Sequence, residues 1–229
     1  MDAVEISNLV AGYSKKTIKN CSFNIKEGEV FGLLGSNGAG KSTILSILSG
    51  ILKNFDGQVK VFNRNIKEDK SVLNEISFVP QNPALFLDLT VNENLDFFAK
   101  MDGISSELRK ERIAELMDKF SLNQFSKIQA SKLSGGYKQL LNIAISTLIE
   151  KKIILLDEPT VGLDLWAKNK ILAYIKELKS KGKTVVITTH DLIDAQEVCD
   201  NVLILFEGQI MANGNIHELL TKHGGGYTI

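Results

Sequence analysis

The sequence is short of arginine, cysteine and net charge, and each shortage closes off a class of function. Lysine plus arginine total 27 and aspartate plus glutamate total 27, a formal net charge of zero. Bulk affinity for nucleic acid needs a basic face, so no nucleic-acid partner is expected. The arginines are Arg64, Arg109 and Arg112 alone. The 2 cysteines, Cys21 and Cys199, stand far apart and form no C-x-x-C pair. They read as reduced thiols of a cytosolic protein rather than a disulfide or metal site. No apolar run approaches the ~18 residues needed to cross a bilayer. The start, M-D-A-V-E, lacks the basic and apolar stretches of a signal peptide, so a soluble chain is expected. Internal repeats and low-complexity linkers are absent. With 44% hydrophobic residues, the 229-residue chain can bury a full core in one or two lobes.

Against those absences stands one dense stretch, Gly35 to Thr43, reading G-S-N-G-A-G-K-S-T. The apolar run Val30-Phe31-Gly32-Leu33-Leu34 leads into it, and Ile44, Leu45, Ile47 and Leu48 follow. Strand, glycine-rich loop, helix is the context a phosphate-binding loop requires. Glycines let successive backbone N–H groups turn inward around a phosphate, where a Cβ would block the approach. The helix behind them aims its unpaired N–H groups and the positive end of its dipole at the same anion. Lys41 adds a full positive charge near the β- and γ-phosphates, and the Ser42 hydroxyl is placed to hold Mg²⁺. The stretch predicts a nucleoside triphosphate held by Gly35, Ser36, Asn37, Gly38, Ala39, Gly40, Lys41, Ser42 and Thr43.

Residues 4–26 read as β-structure, with Tyr13 in the loop between two strands. Further strands are expected at 58–62 and 76–79, and the prolines and Gln81 of P-Q-N-P then break the pattern. From 83 to 150 the signals are helical. Thr90 and Glu93 form a capping box, and Ile113, Leu116, Met117 and Phe120 mark one apolar face. Afterwards strands at 153–156, 184–188 and 202–206 alternate with helices at 165–180 and 192–199, the pattern of a helix-covered, mostly parallel sheet. A hairpin at Glu207-Gly208, a short helix at 215–222 and a loosely ordered glycine tail are expected to close the chain. The predicted organisation is a single domain over 1–229. A core lobe of 1–82 and 151–229 carries a helical subdomain, 83–150, inserted into it.

Two further motifs carry chemistry. Ile153-Ile154-Leu155-Leu156-Asp157-Glu158-Pro159 puts two carboxylates at the carboxyl end of a buried strand, the edge where open α/β sheets bind ligands. Asp157 suits Mg²⁺, through water, and Glu158 suits a water beside the γ-phosphate. The plain alternative is two acids ending a strand beside a turn proline. Leu133-Ser134-Gly135-Gly136-Tyr137 reads locally as a serine N-cap, but equally as a second anion-seeking helix terminus. Two such ends raise the prospect of sites shared between two copies.

With these motifs in register, the chain resembles the ATP-binding-cassette (ABC) ATPases over essentially its whole length. G-S-N-G-A-G-K-S matches that family's Walker A motif, I-I-L-L-D-E-P its Walker B motif, and L-S-G-G-Y its signature. Gln81 falls where the family has its Q-loop glutamine. Val161-Gly162-Leu163-Asp164 resembles the D-loop, and Thr188-Thr189-His190-Asp191 the switch-histidine segment. The resemblance implies an α/β phosphate-loop NTPase core with a mostly parallel sheet, a small antiparallel β region and an inserted α-helical subdomain. It implies that Tyr13 stacks on adenine, that Gly35 to Thr43 hold the phosphates, and that Ser42, Gln81 and Asp157 serve Mg²⁺. Glu158 would be the catalytic base of an ATPase, with Lys41 and His190 at the γ-phosphate. Ser134, Gly135 and Gly136 would complete the site of the opposing subunit in a head-to-tail homodimer or heterodimer holding two ATP. Tyr137, where the signature usually has glutamine, and Val161, where the D-loop often has serine, depart from the pattern and bear on closure of the dimer.

The stretch after Gln81 resembles that of bacterial and archaeal ABC exporters. The expected role is therefore the cytoplasmic ATPase subunit of an exporter, peripheral on the inner face of the cell membrane and joined to separate transmembrane permease subunits. The alternatives are an importer subunit or a soluble ABC ATPase of iron–sulfur assembly or translation. Translation members usually carry two cassettes in one chain. A chromosome-clamp ATPase would carry a long heptad insertion. A kinase would need lid arginines, and a GTPase an N-K-x-D motif, for which Asn169-Lys170 lacks the aspartate.

Overall fold

The computed structural model of the protein describes residues 1–13 and 17–223. The glycine tail at 224–226, expected to be loosely ordered, lies outside the described residues. Strands β1 (Asp2–Ala11) and β2 (Ile18–Lys26) open the chain, then β3 (Val30–Leu34) and α1 (Lys41–Leu48). Strands β4 (Phe55–Val61), β5 (Arg64–Asn65) and β6 (Ile76–Val79) precede three successive helices, α2 (Val91–Met101), α3 (Ser106–Lys119) and α4 (Gly135–Ser146). The remainder alternates β7 (Ile153–Leu156), α5 (Leu165–Ser180), β8 (Thr184–Thr189), α6 (Leu192–Val198) and β9 (Asn201–Phe206), ending in β10 (Gln209–Asn215) and α7 (Ile216–His223).

Two sheets result. A 4-stranded antiparallel sheet has the order β2-β1-β4-β5, and a 6-stranded sheet has the order β10-β9-β3-β8-β7-β6. Within the larger sheet β9, β3, β8, β7 and β6 are parallel, and only β10 runs against its neighbour. Strand β4 starts at Phe55, earlier than the expected 58, because Phe55 and Asp56 pair with Ala11 and Val10 of β1. It stops at Val61 because Phe62, with φ 49°, turns the chain out of the sheet.

The four apolar residues of β7 explain why the sheet is covered on both faces. Side chains alternate along a strand. Ile153 and Leu155 therefore join one apolar cluster with α1 and the antiparallel sheet, while Ile154 and Leu156 join another with α2 to α6. A strand buried on both faces must be continuously apolar, and at about 1.5–3 kcal/mol per buried aliphatic side chain the run anchors both layers. Phe23 of β2 stacks on Phe31 of β3, with ring centroids 5.8 Å apart, and so fastens one sheet to the other. On the opposite face, the apolar stripe of α3 is buried as its spacing requires: Ile113, Leu116, Met117 and Phe120 share a core with Ile154 and Ile187 of the sheet. The capping box that starts α2 is formed in both directions, Thr90 Oγ1 accepting the Glu93 N–H and Glu93 Oε2 the Thr90 N–H.

Candidate functional site

Parallel register delivers the motif residues to one edge of the sheet. Leu34 pairs with Thr189 and Leu156 with Ile187, so the residues following β3, β7 and β8 emerge side by side. Gly35 follows β3, Asp157 and Glu158 follow β7, His190 follows β8, and Gln81 lies just past the end of β6. This is the carboxyl edge of the parallel strands, the edge at which open α/β sheets bind ligands.

The loop after β3 takes a path that only glycine can follow at two points. Gly35 has φ 151°, and a Cβ there would lie 2.3 Å from the Leu205 carbonyl oxygen of β9. Gly40, the N-cap of α1, has φ 111°, and its Cβ would lie 2.3 Å from Ile18 Cδ1. The Gly208 N–H donates to the Ala39 carbonyl at 3.1 Å, so the β9–β10 hairpin holds the loop from outside. Lys41, only 5% exposed, folds back to donate from Nζ to the carbonyls of Gly35 (2.7 Å) and Ser36 (3.3 Å).

The same ammonium lies 3.1 Å from Glu158 Oε1, and the other oxygen of that carboxylate lies 2.9 Å from His190 Nδ1. Glu158 is thus buried and held from two sides, while His190 is half exposed. Removing one member of a buried ion pair typically costs about 3–5 kcal/mol, because the other charge is left without a partner. Glu158 also has φ 46°, a left-handed conformation that costs a non-glycine residue about 1–3 kcal/mol and persists only where its surroundings over-determine it. One of those surroundings is Thr188 on β8, which is wholly buried. Its hydroxyl accepts the Glu158 N–H at 2.8 Å and donates to Asp157 Oδ1 at 2.6 Å. Ser42 Oγ donates to that same Asp157 oxygen at 3.0 Å.

The oxygen donors of Ser42 and Asp157 suit a hard cation. Among the described residues no group of three or more His, Cys, Asp or Glu side chains could hold a metal ion. An ion bound at Ser42 and Asp157 would therefore complete its shell from phosphate and water, which is how Mg²⁺ is commonly held beside nucleotides.

Lys41, Ser42, Asp157, Glu158 and His190 thus converge. Other residues expected at the site do not join them within the chain. Gln81 is exposed, and so is Tyr13, at 67%. Ser134 is the N-cap of α4, its Oγ accepting the Tyr137 N–H at 3.4 Å. Among the described residues, no hydrogen bond or ion pair links Ser134, Gly135 or Gly136 to Lys41, Asp157, Glu158 or His190. Instead Gly136 backs onto the start of α5, where a Cβ would lie 3.0 Å from Ala167 Cβ. Tyr137 packs against Phe125 and Trp166, with ring centroids 4.4 and 5.2 Å away.

Two sets of contacts were given no role by the sequence. One is that of the Thr188 hydroxyl, signalled only by a threonine pair closing an apolar strand. The other lies under the D-loop-like segment: Thr160 Oγ1 donates to the buried Asp194 at 2.7 Å, and Lys168 Nζ lies 2.5 Å from Asp194 and 2.9 Å from Asp191. These contacts raise the Lys168 ammonium above its ordinary value, Asp194 foremost, and the Lys168 bond lowers the Asp191 carboxyl. Nothing in the local sequence pairs Lys168 with residues of another helix.

The family model described as ABC transporter matches residues 18–161. The linearmycin resistance ATP-binding protein LnrL of Bacillus subtilis (strain 168) is 38% identical over 224 residues, 97% of this chain and 72% of its own. The Nod factor export ATP-binding protein I of Rhizobium sp. (strain N33) is 34% identical over 97% of this chain and 74% of its own. ABC transporter A family member 8 of Dictyostelium discoideum is 40% identical over 94% of this chain, which spans only 26% of that relative. Among solved structures, a dimeric ATP-binding cassette in a post-hydrolysis state, bound to ADP and Pi, matches with a TM-score of 0.83 at 31% identity, over 93% of this chain and 98% of that one. The structure of cbiO1 from Clostridium perfringens, part of the ABC transporter complex cbiONQ, matches with a TM-score of 0.85 at 29% identity, over 97% and 92%.

Proposed function

The chain belongs to the ABC transporter family and carries its ATP-binding, ATP-hydrolysing domain, and from that premise we propose that it is the ATPase subunit of an exporter. It works as a dimer with separate membrane-spanning subunits, on the cytoplasmic face of the membrane. The observation that carries the catalytic part is the convergence of Lys41, Ser42, Asp157, Glu158 and His190 at one sheet edge. Export is favoured by the relative whose name states it, of which this chain covers 74%.

In this reading the backbone N–H groups of Gly35 to Thr43 and the Lys41 ammonium bind the phosphates. As Lys41 turns toward phosphate oxygens, Glu158 is released to accept a proton from the attacking water. His190, already bonded to Glu158, keeps that carboxylate oriented and reaches the γ-phosphate. Ser42 and Gln81, with Asp157 acting through water, would hold Mg²⁺, which would supply positive charge against the phosphoryl oxygens. Tyr13 stacks on the adenine. The α4 terminus at Ser134, Gly135 and Gly136 serves the nucleotide of the opposing copy. Residues 83–150 act as the helical subdomain that meets the membrane subunit. In support, Phe86, Leu87, Phe97 and Met101 are exposed there, and the Phe86, Phe97 and Phe98 rings lie 4.7–5.6 Å from one another. No helix among the described residues is long and apolar enough to cross a membrane, and in this reading the partner chains span it.

Glu158→Gln tests the proposal. It should cut turnover at least about 100-fold while retaining ATP, since general-base catalysis contributes on that scale. With MgATP it should become a dimer by light scattering, and from detergent extracts of native membranes it should migrate with a membrane-spanning partner. Normal turnover, or a strictly monomeric chain in both settings, would overturn the reading.

A further inference from the structure

Gln81 lies in the irregular segment that joins β6 to α2, and peptide groups in such a segment need partners outside regular structure. Two buried asparagines supply them. Asn94 of α2, 0% exposed, accepts the Phe86 N–H at 2.9 Å and donates to the carbonyls of Phe86, Leu89 and Thr90 at 3.0, 3.2 and 3.0 Å. Asn142 of α4, 2% exposed, donates to the Pro80 carbonyl at 3.1 Å and accepts the Ala84 N–H at 3.3 Å. One side-chain amide therefore grips the chain on both sides of Gln81. The same Nδ2 lies 3.4 Å from Gln139 Oε1, one turn nearer the start of the helix, and the buried Gln139 Nε2 has no partner.

A buried amide costs stability unless it is hydrogen-bonded, and Asn142 interrupts the apolar run Leu140-Leu141-Asn142-Ile143-Ala144 of α4. Its bonds to the Gln81 turn are what distinguish it. We propose that Asn142 is a positioning residue for Gln81. It ties the Gln81 turn to the helix that starts at Ser134, about 12 Å away along the axis at 1.5 Å per residue. A helix moves as a rigid rod, so engagement of the Ser134 end by a second copy and placement of Gln81 in its own site become one displacement. The inference rests on the reading of Gln81 given above.

Asn142→Ala, Asn94→Ala and Gln81→Ala, each in the full chain, separate the possibilities. The readouts are hydrogen exchange of the 81–84 amides, the melting temperature, and KM for MgATP against kcat. Asn142→Ala should speed exchange at Ala84 and raise KM about tenfold, and Gln81→Ala should raise it likewise, the pattern of a lost binding geometry. Asn142→Ser, whose hydroxyl can still donate or accept one of those bonds without burying a charge, should recover part of that loss and carries the comparison if the alanine variant fails to fold. Asn94→Ala should loosen 86–90 and leave KM within about twofold. If Asn142→Ala lowers only the melting temperature while Gln81→Ala still raises KM, the inference fails and the reading of Gln81 stands. If Gln81→Ala leaves KM unchanged, both fail.

Discussion

Thr188 shows how much of the site hangs on a single atom. Its hydroxyl satisfies the Glu158 N–H and holds Asp157 Oδ1, the oxygen that also receives the Ser42 hydroxyl. Valine has nearly the same shape but neither donates nor accepts. Thr188→Val would leave a buried N–H unpaired, at a cost of about 1–3 kcal/mol, and would free the strained Glu158 backbone to relax. The expected result is a kcat reduced about tenfold or more with a modest loss in urea stability, since the lost bond positions both carboxylates. Unchanged kcat alongside the stability loss would show that Thr188 supports the strand only. Thr188 was readable as a polar residue in an apolar run, but its partners belong to a neighbouring strand distant in sequence.

At the scale of elements, the contact between the starts of α4 and α5 matters most. Gly136 lets the two helices approach closely, and Tyr137 rests on Trp166, which is the only tryptophan of the chain. Trp166 is 43% exposed, and its chain neighbour Leu165 and the earlier Val161 are exposed as well. If a second copy closes over the Ser134 end, the indole loses contact with water. MgATP added to Glu158→Gln should therefore shift the emission to the blue, and the shift should be missing when Lys41→Ala is added. A shift that persists without Lys41 would mean that closure does not depend on phosphate binding. The departures at Tyr137 and Val161 were legible as unusual residues. That Tyr137 would pack on the first turn of α5 was not, because the two segments meet only in the folded chain.

For the whole molecule, the sheet is a partition between two cores, and the two thiols report on them separately. Cys21 belongs to the cluster with α1 and the antiparallel sheet, Cys199 to the cluster with α2 to α6. Both are buried, which raises the thiol pKa in each case, and burial with help from Asp200 and Asp194 pushes Cys199 up to about 12. Neither thiol should react with an aromatic disulfide reagent at pH 8 in the native protein, since the thiolate is the nucleophile. Residues alternating along β3, β7 and β8 belong to both clusters, so the two cores are expected to open together. In moderate urea, Cys21 and Cys199 should be labelled at the same rate. Distinct rates, followed by mass spectrometry of the peptides, would show that the layers melt independently.

What the sequence determined alone was local. The β7 run is apolar at every position, so a doubly buried strand followed by two acids could be read directly. The spacing of Ile113, Leu116, Met117 and Phe120 likewise named the buried face of α3. The phosphate loop announced itself because its glycines answer a backbone requirement that no other residue meets. The tertiary structure decided what depends on contacts between segments remote in sequence: which oxygen of Asp157 is shared, which ammonium holds Glu158, and which helix holds the Gln81 turn. Those choices turn on distances of a few tenths of an ångström between side chains from different strands and helices. They are set by how whole layers pack, and no short stretch of sequence encodes them.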